Sequence, residues 1–75
     1  MSDAELDATG LLCPLPVLKL RKRLKGLQVG QTITVMTDDP AAIIDVPHFC
    51  HEAGHELVEA DADAVPARWL VRKAN

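Results

Sequence analysis

The sequence predicts an α/β fold of the α+β kind, a two-layer sandwich in the order βαβαββ with two helices on one face of a four-stranded mixed sheet. Three observations predict it. Four short segments, at 5–8, 31–37, 56–60 and 67–73, alternate polar and apolar residues or are rich in β-branched ones. Two longer segments lying between the first three carry apolar residues at helical spacing. Glycine or proline marks the junctions, at Gly10, Pro14, Gly26, Gly30, Pro40, Gly54 and Pro66.

Residues 1–3 read as a frayed end. Glu5-Leu6-Asp7-Ala8 makes the first strand, which Thr9-Gly10 breaks, and Leu11 and Leu12 lead to a helix over 14–25 stopped by Gly26. Val17, Leu20, Leu24 and Leu27 fall on one stripe of that helix and face the core. The second strand, 31–37, puts Ile33, Val35 and Thr37 on one face. A strand–helix–strand crossover is right-handed, so these two strands run parallel and end at the same sheet edge. Next, 40–44 gives one helical turn and Pro47 interrupts or restarts the helix. Asp45 caps the second segment, where Val46, Phe49, Cys50 and Ala53 follow i, i+3, i+4, i+7 spacing and are buried. Gly54 closes it, and 56–60 is the third strand. An acidic loop over 61–65 precedes the last strand, with Trp69 and Val71 facing the core and Arg68, Leu70 and Arg72 opposite.

With 75 residues, the chain is expected to be a single domain, residues 1–75. It stands near the lower limit for a self-sufficient core, where about 60% of the unfolded surface is buried. The net charge of −3 excludes a broadly basic nucleic-acid binder, and Trp69 and Phe49 alone make no stacking platform. No direct nucleic-acid contact is therefore expected. No secretory apolar region and no stretch long enough to span a bilayer is present, so a reducing, cytoplasmic setting without membrane association is expected. In that setting a cysteine is more often chemical than structural. His48, His51 and His55 with Cys50 lack a standard zinc spacing, and no metal ligand is assigned.

The stretch Leu12-Cys13-Pro14-Leu15-Pro16 carries the chemistry. Proline suits the first turn of a helix, which places Cys13 at the N-cap, Pro14 at N1 and Pro16 at N3. The prolines remove two donors and leave the N–H groups of Leu15 and Val17 beside the sulfur. A helix N-terminus carries about half a positive charge and favours a thiolate or persulfide. The competing reading is a buried structural thiol, since free cysteine is among the most buried residue types. At the same sheet edge lies Asp38-Asp39-Pro40, where Asp39 caps the following turn and Asp38 is free to meet a basic partner or tune the sulfur. Two carboxylates raise a thiol pKa and a helix end lowers it; the sequence leaves that balance open.

Five of the eight basic residues sit on the first helix of this acidic chain. Arg21, Lys22 and Lys25 oppose the core stripe, with Lys19 and Arg23 on the flank and Leu18 in the middle. A leucine ringed by cations fits a docking patch with an apolar anchor and a charged rim. It also fits a solvated face whose cations complement the helix C-terminus. Proximity to Cys13 favours docking.

Read together, the residues resemble a known family. Leu6-Asp7-Ala8-Thr9-Gly10-Leu11-Leu12-Cys13-Pro14-Leu15-Pro16 is similar to the signature of the TusA/SirA-like sulfur-carrier family, C-P-x-P after a short strand and a glycine. Asp38-Asp39-Pro40-Ala41 resembles that family's second block. Asp45-Val46-Pro47-His48-Phe49-Cys50, His55-Glu56-Leu57-Val58 and Arg68-Trp69-Leu70-Val71-Arg72-Lys73 look like its TusA branch. The resemblance implies a sulfurtransferase in which Cys13 takes sulfane sulfur from a cysteine desulfurase as a persulfide. It implies onward transfer to a downstream sulfur-relay complex serving 2-thiouridine formation at the tRNA wobble position. The face around Leu18, Arg21, Lys22 and Lys25, with Asp38 and Asp39, would dock partners, and Cys50 matches a second cysteine the transfer does not require. No cofactor or general base is expected.

Three other readings remain open at this point. A carrier of this type serving sulfur oxidation or molybdenum-cofactor maturation is the first, since one scaffold can serve several acceptors. A regulatory interaction module is suggested only by the basic helix. A cysteine hydrolase lacks a histidine positioned by sequence as its base.

Overall fold

The computed structural model describes residues 2–75. Its elements are β1 (Ala4–Asp7), α1 (Leu15–Lys25), β2 (Thr32–Thr37), α2 (Ala42–Ala53), β3 (Glu56–Asp61) and β4 (Ala67–Arg72). The sheet order is β1-β2-β4-β3, with β1 parallel to β2 and both remaining pairs antiparallel. The parallel pair confirms the crossover expected from the strand–helix–strand order.

Alternation along the strands decides which side of the sheet is covered. Leu6, Val35 and Trp69 align across β1, β2 and β4, and Ala4, Ile33, Val71 and Leu57 align across all four strands. Leu6, Ile33, Val35, Trp69 and Val71 are buried beneath the helices, which add Leu20 and Leu24 from α1 and Ala42, Val46, Phe49 and Cys50 from α2. Val17 and Leu27 pack at the margin of this core, as the stripe of α1 predicts. Among the described residues Thr37 is the one polar residue fully buried with them, and its hydroxyl accepts from the indole Nε1 of Trp69 at 2.9 Å. The hydrogen bond compensates for taking these two polar groups out of water.

Several boundaries differ from the expectation. Residues 1–3 read as frayed, yet Asp3 N donates to Thr32 O at 3.0 Å and Asp3 Oδ2 accepts from Thr32 N at 2.9 Å. A local pattern does not reveal that a terminus will pair with a strand; Met1 lies outside the described residues. The third strand runs one residue further, to Asp61, with a register shift between Leu57 and Glu59. Pro47 does not interrupt α2, and Asp45 is no cap but a first-turn residue whose N–H donates to Ala41 O at 2.9 Å. The reason is the stripe of α2, which extends backward to Ala42. Ala42, Val46, Phe49 and Cys50 bury one continuous face, and that burial offsets the cost of an interior proline, about 3 kcal/mol.

Gly54 ends α2 in the left-handed conformation, φ 76°. His55 N donates to Cys50 O at 2.9 Å and Gly54 N to His51 O at 3.3 Å, the paired bonds of a Schellman motif. No helix is long and apolar enough to cross a membrane among the described residues.

Candidate functional site around Cys13

The site forms where β1 and β2 end together and their chains turn toward α1 and α2. Asp7 opens the first turn, accepting from Thr9 N at 3.0 Å and Thr9 Oγ1 at 2.6 Å. Those bonds from Thr9 hold the Asp7 carboxyl below its ordinary pKa. Gly10 follows at φ 79°, a conformation that favours glycine, and its N–H points at Asp38. Both Asp38 oxygens accept it, at 2.9 and 3.0 Å. Asp39 acts the same way one step along, its Oδ2 accepting from Cys13 N at 2.6 Å and its Oδ1 from Ala41 N at 3.2 Å. The two aspartates thus clamp the Cys13 loop to the loop that starts α2. Asp39 caps the following turn through Ala41 N as expected and in addition holds Cys13, while Asp38, read as spare, is engaged with Gly10.

Cys13 is not the N-cap. It precedes the cap, which is Pro14, across a cis peptide bond, so Leu15 is N1 and Pro16 is N2. The turn at 12–15 causes the shift, because Leu15 N donates to Leu12 O at 2.8 Å rather than facing the sulfur. Leu18 N then donates to Pro14 O at 3.1 Å and starts the helix. Pro16 is buried, while Cys13 and Pro14 are exposed.

This geometry decides the balance left open by the sequence. The Asp45 carboxylate lines the same groove as the Cys13 thiol. Its proximity, slight desolvation and the charge of Asp39 hold the thiol above its ordinary pKa. Of the two N–H groups expected beside the sulfur, that of Leu15 is engaged elsewhere, which weakens the opposing pull of the helix end. Sequence reasoning missed Asp45 here. The signal was its place in the first turn of α2, at the same sheet edge as Cys13.

A groove of about 450 Å³ runs from Cys13 between the helices, lined by Pro14, Val17 and Arg21 of the α1 side and Asp45, His48 and Phe49 of α2, and reaching Glu52. Arg21 sits over the Phe49 ring at 5.5 Å, a cation–π contact, so it leans toward α2 instead of standing in the basic face. His48 Nε2 lies 3.7 Å from Glu52 Oε1. A larger depression of about 730 Å³ lies on the open face of the sheet near Thr34, Arg68 and Leu70, and no cysteine lines it.

The remaining basic residues also divide. Arg23 Nη2 donates to Glu5 O at 3.0 Å and is tied to β1, whereas Lys19, Lys22 and Lys25 stay exposed around Leu18, itself 49% exposed. Leu12 and Leu15 extend that apolar surface up to Cys13. Ile43, Ile44 and Val65 are exposed as well, and Ile43 and Val65 border the depression that holds Asp38, Asp39 and Pro40. Leu12, Leu15, Ile43 and Ile44 lie off the core stripes and were missed by a reading that followed those stripes. Cys50 is buried, and burial pushes its thiol up to about 11. His55 packs against Phe49, with ring centroids 6.1 Å apart, and its Nδ1 accepts from Ala74 N. Among the described residues no group of three or more His, Cys, Asp or Glu is placed to hold a metal ion.

A family model described as sulfurtransferase TusA matches residues 4–73. The chain belongs to the TusA family. Proteins of this family are sulfurtransferases that act as sulfur carriers in relay with other proteins, and the matched residues include the exposed Cys13. Among solved structures, the SirA-like protein from Desulfitobacterium hafniense is similar, at a TM-score of 0.75 and 23% identity, covering 92% of this chain and 93% of that one. At that identity the likeness bears on the fold, and the fold of a TusA-family carrier agrees with it: two helices on a four-stranded mixed sheet.

Proposed function

We propose that this TusA-family protein carries sulfane sulfur as a persulfide on Cys13. In this reading a cysteine desulfurase loads it, and it passes the sulfur to a downstream relay complex for 2-thiouridine synthesis at the tRNA wobble position. The observation that supports the carrier role is the contrast between the two thiols. Cys13 is exposed on a loop at the sheet edge, and Cys50 is 2% exposed in the core.

Loading is a thiol exchange at sulfane sulfur. The Cys13 sulfur attacks the terminal sulfur of the donor persulfide, the donor S–S bond breaks, and the donor leaves as a thiol. Cys13 must then present the same sulfur to a second thiol, which an exposed loop permits. No cofactor enters either step. Leu18 with Lys22 and Lys25, continued by Leu12 and Leu15, supplies an apolar anchor and cationic rim for protein partners beside the sulfur. The carrier itself need not touch tRNA, which suits an acidic chain with one basic face, working in the cytoplasm.

The destination in tRNA rests on the blocks around Asp38-Asp39-Pro40 and Phe49-Cys50, which resemble the TusA branch beyond the shared cysteine motif. Cells lacking the protein should lose 2-thiouridine derivatives from tRNA, and the Cys13→Ser form should fail to restore them. Normal thiouridine in a deletion strain with no paralogue would redirect the sulfur to another acceptor.

A further inference from the structure

The groove beside Cys13 holds an unbalanced set of charges. From the loop before α2, Asp39 binds the Cys13 backbone N–H at 2.6 Å. From α2 itself, half-buried Asp45 lines the groove with the thiol, while His48 and Glu52 face one another 3.7 Å apart further along. From α1 the only charge in the groove is Arg21, whose guanidinium lies over the Phe49 ring. Arg21 therefore has another partner, and the charges left nearest the sulfur are the carboxylates of Asp45 and Asp39. A sulfur that must attack a persulfide is held in an environment that disfavours its anion.

We propose that Asp45 is a positioning residue whose carboxylate, sharing the groove with the Cys13 thiol, keeps the sulfur unreactive in the free carrier, until a cationic surface of the sulfur-donating partner covers the mouth of the groove. Cations brought against Asp45 and Asp39 cancel the field that retains the thiol proton. The exchange then balances. Cys13 sulfur bonds to the terminal sulfur of the donor, the donor S–S bond breaks, and the departing donor thiolate takes up the proton Cys13 gives up. No net oxidation occurs. A free carrier guarded in this way resists small electrophiles and oxidants, which attack thiolates. The proposal rests on the carrier role of Cys13, but its test uses a small alkylating reagent and no sulfur donor, so the two fail separately.

The test is the rate of iodoacetamide alkylation of folded protein as a function of pH, with the adduct localised to Cys13 by peptide mapping. Asp45→Asn should react roughly threefold or more faster at about pH 7 and shift the profile to lower pH, since thiolate gain outweighs the accompanying loss of nucleophilicity. Asp45→Glu should restore the wild-type profile and Glu52→Gln should leave it unchanged. A profile of Asp45→Asn superimposable on wild type, or an equal shift in Glu52→Gln, would overturn the assignment. Wild-type protein supplies a second measurement should Asp45→Asn fail to fold. Titrating Cys13 by its thiolate absorbance with added oligolysine should lower its midpoint, beyond the effect of sodium chloride at matched ionic strength. No difference between oligolysine and salt would remove the partner's role.

Discussion

Two thiols in one small chain meet opposite environments. Cys13 stands in water beside carboxylates, and Cys50 is enclosed under α2. Burial raises the Cys50 pKa from 9.0 to about 11, so the native state keeps its proton where the unfolded chain releases it. With fewer protons bound in the unfolded state, stability falls as pH rises through that window. Chemical denaturation between about pH 8.5 and 11 should therefore show a loss of stability that Cys50→Ala lacks, measured against each protein's own value at neutral pH. An identical alkaline decline in both would place Cys50 outside the core. Cys13 stood out as a candidate because two prolines mark its stretch as a helix start. Its electrostatics were not, because the bond from Cys13 N to Asp39 joins residues far apart in sequence. Local spacing does not encode which loops meet.

At the scale of elements, periodicity carried most of the information. The α1 stripe with Leu20 and Leu24, and the alternation placing Ile33, Val35, Trp69 and Val71 inward, follow from burying apolar area on a two-layer fold. The reading failed at Pro47 because a rule for isolated helices was set against tertiary burial, and burial was larger. Gly54 shows a local rule that holds. Its φ of 76° is costly for any residue with a Cβ, and a Cβ there would also meet Asn75 Nδ2 at 2.6 Å. That amide donates to Ala53 O, but it is the end of a movable side chain, so backbone conformation sets the cost. Gly54→Ala should destabilise the protein by about 1 kcal/mol, a drop of roughly 4–8 °C in Tm for a domain of this size. An unchanged thermal midpoint would contradict the left-handed cap.

For the whole molecule, the fold separates what must be shielded from what must be presented. Trp69, Thr37 and Cys50 lie inside, and the sheet edge offers Cys13 between an apolar surface with lysines and a pair of aspartates. The sequence reading of one uniform basic face proved too simple, because Arg21 turns to Phe49 and Arg23 to β1, contacts that depend on how α1 sits on its neighbours. Of the proposed docking residues on α1, Leu18, Lys22 and Lys25 are the ones left exposed without such a contact. Intact-mass analysis after incubation with a cysteine desulfurase and cysteine tests the carrier assignment most directly. Lys22→Glu should slow loading more at low salt than at high salt, as screening removes a charged rim contact. Wild type and Cys50→Ser should each gain the mass of one sulfur atom, removable by a thiol reductant, while Cys13→Ser should gain nothing. Sulfur retained on folded Cys13→Ser, or lost only from folded Cys50→Ser, would contradict Cys13 as the carrier.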